Sequence, residues 1–88
     1  MFETLIAAAQ NPPELDLHGM DQHDAEQMIA RFLDEKFRSG EMVVRIVHGH
    51  GRGILARVVP DVVRAYPHVL YQKKALSSES VFVVLDNL

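Results

Sequence analysis

The spacing of apolar residues changes along the chain from a period of two to a period near 3.6 and back. Glu14-Leu15-Asp16-Leu17-His18 alternates polar and apolar, which predicts a half-buried strand closed by Gly19. Ahead of it, residues 2–9 read as a short helix or a mobile arm, ended by Asn11-Pro12-Pro13. From Gln22 to Ser39 the stripe Ala25, Met28, Ile29, Phe32, Leu33 and Phe37 recurs at helical steps, and Met28 and the phenylalanines read as core. Asp21 suits the N-cap, Asp24 and Glu26 suit the positive helix end, and Gly40 suits the position after the C-cap. Met42–Val47 is nearly continuously apolar and β-branched, as in a covered central strand. After His48-Gly49-His50-Gly51-Arg52-Gly53, a second helix is predicted over Ile54–Ala65 with Leu55, Val58, Val59, Val62 and Val63 inward. Pro60 lies within it and predicts a kink or a fresh start, because the bond to the Ala56 carbonyl is absent. Val69–Lys74 and Ser80–Leu85 are two more strands, antiparallel across the Ser77-Ser78-Glu79-Ser80 turn.

The order β-α-β-α-β-β predicts an α/β fold, a two-layer sandwich with both helices on a four-stranded mixed sheet. At 88 residues the chain is one domain, read as an arm over 1–13 and a folded unit over 14–88. It has no Cys, which excludes disulfides, thiolate metal sites and a Cys nucleophile. No apolar run approaches the ~20 residues of a membrane span, and residues 1–10 lack the basic start of a signal peptide. These features point to a cytoplasmic protein without a membrane partner. Oligomeric state is not legible.

The net charge of −3 argues against bulk nonspecific binding to nucleic acid. Its distribution is uneven. Residues 45–74 hold six Lys/Arg against Asp61 alone, whereas residues 1–44 hold nine Asp/Glu against three Lys/Arg. The middle of the chain can therefore present a local basic face. His23 and His68 read as surface residues without a role.

Candidate chemistry gathers in the two loops after the first two strands, where open α/β sheets bind ligands. Asp16 and His18 lie two apart on one side of the first strand. The second loop offers glycine backbone and a helix start suited to an oxyanion, with Arg52 able to add a bidentate contact. Its spacing matches neither a Walker loop nor the dinucleotide fingerprint, so a nucleic-acid phosphodiester is a better ligand than a nucleotide cofactor. Asp16, His18 and His48 suit acid/base work on that phosphodiester. The same residues with His50 suit a divalent cation, which hydrolysis of DNA would call for. A purely structural role for histidines at strand ends stays open beside both.

Leu15-Asp16-Leu17-His18-Gly19 followed by Val44-Arg45-Ile46-Val47-His48-Gly49-His50-Gly51-Arg52-Gly53-Ile54-Leu55 resembles the Smr (small MutS-related) domain from about Leu15 to Leu85. The resemblance implies a fold like the C-terminal domain of translation initiation factor three. It also implies nucleic-acid binding, with nicking of DNA or cleavage of RNA in some members. By this likeness Asp16 and His18 are the catalytic pair. His48, Gly49, His50, Gly51, Arg52 and Gly53 border the phosphate. Lys73 and Lys74, from the basic middle stretch, are read as added nucleic-acid contacts. The sequence departs from the family in having His50 where Lys is common, and Ser77–Ser80 where a glycine-rich stretch is common. A binding module without turnover, on DNA, RNA or protein, is the alternative reading.

Overall fold

The computed structural model describes residues 1–51 and 53–88. Its elements are α1 (Phe2–Ala8), β1 (Glu14–Asp16), α2 (Gln22–Arg38), β2 (Val43–Val47), α3 (Ile54–Ala65), β3 (Val69–Lys74) and β4 (Ser80–Leu85).

Helix α2 begins and ends where its flanking residues satisfy the orphaned backbone groups. The Asp21 carboxylate accepts from the Asp24 amide at 2.8 Å. At the other end Gly40 adopts φ +86°, its amide reaches the Phe37 carbonyl, and the Glu41 amide reaches the Lys36 carbonyl. That pair of bonds is a Schellman closure, which needs the left-handed residue that glycine supplies. Asn87 adds to it, donating from Nδ2 to the carbonyls of Phe37 and Glu41, both at 2.9 Å.

The sheet order is β1-β2-β4-β3. Strands β1 and β2 are parallel, and β4 runs antiparallel to both β2 and β3. Paired residues share a face. Val44, Ile46, Val81, Val83 and Leu85 therefore point to one side, where they bury with Leu17, Ala25, Ile29 and Leu33 beneath α2 and Val59 and Val63 of α3. Asp16, Arg45, Val47, Ser80, Phe82, Tyr71 and Lys73 share the second face. Helix α1 rests there: Phe2 stacks on Tyr71 at 5.3 Å between centroids, and Glu3 pairs with Lys73. The expected two layers are present, and α1 adds a partial third.

Four expectations need correction. Strand β1 ends at Asp16 rather than His18, although the Leu17 amide still bonds the Val47 carbonyl at 2.7 Å. Helix α3 runs continuously through Pro60; only one intrahelical bond is lost, and the apolar face on both sides of it is anchored by Val59 and Val63. His68 is no free surface residue, since its ring lies flat on Phe37 at 3.9 Å with Tyr66 edge-on. Met28 is 36% exposed, outside the core stripe. Among the described residues, no helix is long and apolar enough to cross a membrane.

Leu33→Ala should lower the unfolding free energy by about 2–5 kcal/mol, because it opens a cavity in the closed core. Phe2→Ala, which removes only the stack under α1, should cost about 0.5–1.5 kcal/mol. Urea denaturation separates the two. Equal costs would make α1 part of the core.

Candidate functional site

The parallel pairing of β1 with β2 sends both following loops out of one end of the sheet. Asp16 is in register with Val47, so His18 and Gly49 leave side by side. They touch: a Cβ built on Gly49 would lie 3.1 Å from the His18 Cβ, and Gly49 holds φ +74°. Space and backbone both demand glycine at that position.

Asp16 and His18 form a local couple. The Asp16 Oδ1 accepts from the His18 ring Nδ1 at 2.8 Å and from the His18 amide at 3.1 Å. Those bonds hold the Asp16 carboxyl below the usual carboxylate range, and the same carboxylate holds the His18 imidazole above the ordinary histidine value. With the proton kept on Nδ1, Nε2 of the neutral ring carries the lone pair. The ring is 75% exposed on its side-chain atoms, so that nitrogen is within reach of a ligand.

His48 is the opposite case. It is 5% exposed, and its Nδ1 lies 2.7 Å from the Gly49 carbonyl. A carbonyl only accepts, so Nδ1 donates and Nε2 of the neutral ring is an acceptor. That Nε2 is buried without a hydrogen-bond partner among the described residues.

The turn between β3 and β4 closes against this loop. The Glu79 carbonyl accepts from the amides of both His48 (2.9 Å) and Gly49 (3.1 Å), and its carboxylate sits 2.6 Å from His50 Nε2. The Gly53 amide bonds the His50 carbonyl at 3.3 Å. The amides of Gly49 and Gly53 are thus engaged within the protein. The first turn of α3 leaves its own amides without a side-chain cap from Gly53, and no acidic residue lies there. Arg52 lies outside the described residues.

An open cleft of about 660 Å³ results. His18, Gly19 and Met20 line it from one loop, His48 to Gly51 and Gly53 from the other, and Ile54 and Leu55 from α3. The sequence missed Met20 and Ile54. An exposed Ile directly after the last loop glycine, and a Met directly after His18-Gly19, were the available signals. It also missed the double anchor at Glu79, because a backbone carbonyl leaves no mark on residue type.

Lys73 and Lys74 do not join the cleft. They stand at the same end of the sheet, since Lys74 pairs with Val81 and Val47 with Ser80, but β4 separates them from β2. Two strand spacings put them about 10 Å away. Lys73 is paired with Glu3. The residues expected to hold a divalent cation also do not fit one: among the described residues no three His, Asp or Glu side chains converge, and Asp16–His18 and His50–Glu79 are separate couples.

A family model of the Smr domain matches residues 15–84. Endonuclease MutS2 of Clostridium perfringens is 34% identical over 67 residues, covering 76% of this chain and 8% of that protein. The same enzyme from Clostridium botulinum is 40% identical over 55 residues, 62% of this chain and 7% of that protein. The chain therefore spans less than a tenth of these relatives. The crystal structure of the Smr domain of Thermus thermophilus MutS2 superposes with a TM-score of 0.77 at 26% identity, covering 83% of this chain and 96% of that one. YdaL, a stand-alone small MutS-related protein from Escherichia coli, shares the fold with a TM-score of 0.85 at 21% identity, over 96% of this chain and 72% of that one. With both loops of the cleft inside the matched span, the chain belongs to the Smr domain family.

Proposed function

We propose that this domain binds nucleic acid across the cleft and cleaves a phosphodiester of RNA with the Asp16–His18 couple. One observation carries the reading: an exposed, carboxylate-oriented imidazole is borne by a residue whose Cβ packs beside Gly49, in the glycine loop that leads into an uncapped helix start. A proton acceptor thus stands beside a cradle for negative charge. The likeness to endonucleases of the MutS2 type supports the same reaction class. RNA carries its own nucleophile, so it asks of the site only proton transfer and anion stabilisation. His18 Nε2 takes the 2′-OH proton as O2′ bonds to phosphorus. The P–O5′ bond breaks, and the leaving O5′ takes a proton from water in the open cleft. The products are a 2′,3′-cyclic phosphate and a 5′-OH. The first-turn amides of α3, with Arg52 as a further phosphate contact, offset charge on the phosphorane-like transition state. His48 is buried with its Nδ1 held by the Gly49 carbonyl, so in this reading it steadies the loop and does not meet the leaving group.

A second reading, binding of DNA or RNA without turnover, is favoured by one feature. The Glu79 carboxylate is held at His50 on the cleft's edge, where it opposes an incoming phosphate.

Asp16→Ala with His18→Ala should slow RNA cleavage by about 10²–10⁴-fold with affinity retained. End analysis of labelled RNA should show the cyclic phosphate. Retained affinity with no cleavage by the unaltered protein would establish the binding module instead. The cleavage rate should rise with pH through a midpoint above 6.5, because Asp16 raises the His18 value and only the neutral ring accepts a proton. Asp16→Asn should bring that midpoint down toward 6.5, readable by imidazole NMR titration. Gly49→Ala should cost about 1–2 kcal/mol of stability from backbone strain alone, and should shift the His18 resonances in the same spectra.

A further inference from the structure

We infer that the sheet face opposite the core is a second binding surface, one for single-stranded nucleic acid, and that α1 occupies it until a strand displaces the helix. This surface is separate from the cleft and does not rest on the cleavage reading. Pairing places Tyr71 beside Val84 and Lys73 beside Phe82, so two aromatic rings and a lysine share one face of the sheet. The Arg45 guanidinium lies on that face too, 5.7 Å from the Phe82 ring centre and bonded to Ser80 and Glu14. Aromatic rings with cations beside them suit unpaired bases and their phosphates: the rings stack on bases, and the cations meet the backbone.

What covers the face in the folded chain imitates such a ligand. The Phe2 ring lies on Tyr71 at 5.3 Å between centroids and 20° between planes, in the place of a base. The Glu3 carboxylate pairs with Lys73, in the place of a phosphate. The cover is lightly held: α1 is seven residues long, none of them is buried, and no side chain caps its start. A helix this short does not persist in water by itself, so undocking also melts it. Asn11, at φ +50°, and two prolines join it to β1. Beside α1 a groove of about 260 Å³ is already open, and Lys73, Lys74, Leu76 and Phe82 line it. It offers a strand a first hold on the two lysines that the cleft does not use. A duplex keeps its base faces stacked within and gains nothing from the rings.

The test measures binding of a labelled 12-nucleotide DNA strand, and of its duplex, to the 88-residue chain by fluorescence anisotropy. DNA lacks the 2′-OH, so no outcome here bears on RNA cleavage at the cleft. Phe2→Ala keeps the net charge and removes the ring that stands in for a base. It should tighten single-strand binding about three- to tenfold, because apparent affinity rises with the fraction of protein whose face is free. Duplex binding should stay unchanged. Tyr71→Leu or Lys73→Gln, added to Phe2→Ala, should each cancel most of the gain. Asp16→Ala with His18→Ala, added to it, should leave the gain in place. In NMR spectra of the unaltered protein, the strand should shift the Tyr71 and Phe82 ring signals and move those of Phe2 to free-chain positions. No gain with Phe2→Ala, an equal gain on duplex, or a gain that survives both Tyr71→Leu and Lys73→Gln would overturn the inference. So would a Phe2 ring that keeps its stacked shift at saturating strand.

Discussion

The cleft end of the domain depends on the register between a three-residue edge strand and β2. Asp16 opposite Val47 places His18 against Gly49, and a slip of one residue would turn Asp16 into the helix-covered core. So short a strand cannot hold that register by its own ladder. The register is set by Leu15 and Leu17, which pack under the helices, and by the Leu17 amide bond to the Val47 carbonyl. Hydrophobic burial on one face thereby positions the Asp16–His18 couple beyond the other.

The second constraint is the turn that carries Glu79. Its carbonyl ties the amides of His48 and Gly49, so the loop is braced by an element more than twenty-five residues away in sequence. Bracing engages both of those amides within the protein, whereas the first turn of α3 has no side-chain cap. It also fixes the His48 ring, which donates to the Gly49 carbonyl while its backbone donates to Glu79. A braced loop of this kind is preorganised, which limits the entropy lost when a ligand binds.

Much of this was legible in the residues. The 3.6-residue stripe, Asp21 and Gly40 located α2, and alternation located the strands, because those signals are local. The antiparallel return of β4 followed from the short serine turn. The Asp16–His18 couple and the glycine loop were visible as types and spacing. What escaped depends on long-range geometry. No local signal places α1 on the second face, where Phe2 meets Tyr71 and Glu3 meets Lys73, and that pairing withdraws a lysine that looked available for phosphate. Insertion of β4 between β2 and β3 distanced both lysines from the cleft. Pro60 signals a break, yet tertiary packing of Val59 and Val63 outweighs one missing hydrogen bond. The burial of His48 and the use of a main-chain acceptor at Glu79 leave no trace in composition.

The division of labour at residue 79 separates architecture from electrostatics. The backbone of that residue holds the loop in place whatever side chain it bears, and the side chain contributes only charge at the cleft's edge. Replacement of the acid by a neutral or basic residue would leave the scaffold standing and change only the attraction the rim exerts on a polyanion. Loop position and rim charge can thus change separately, and a designer can alter the second without redrawing the backbone.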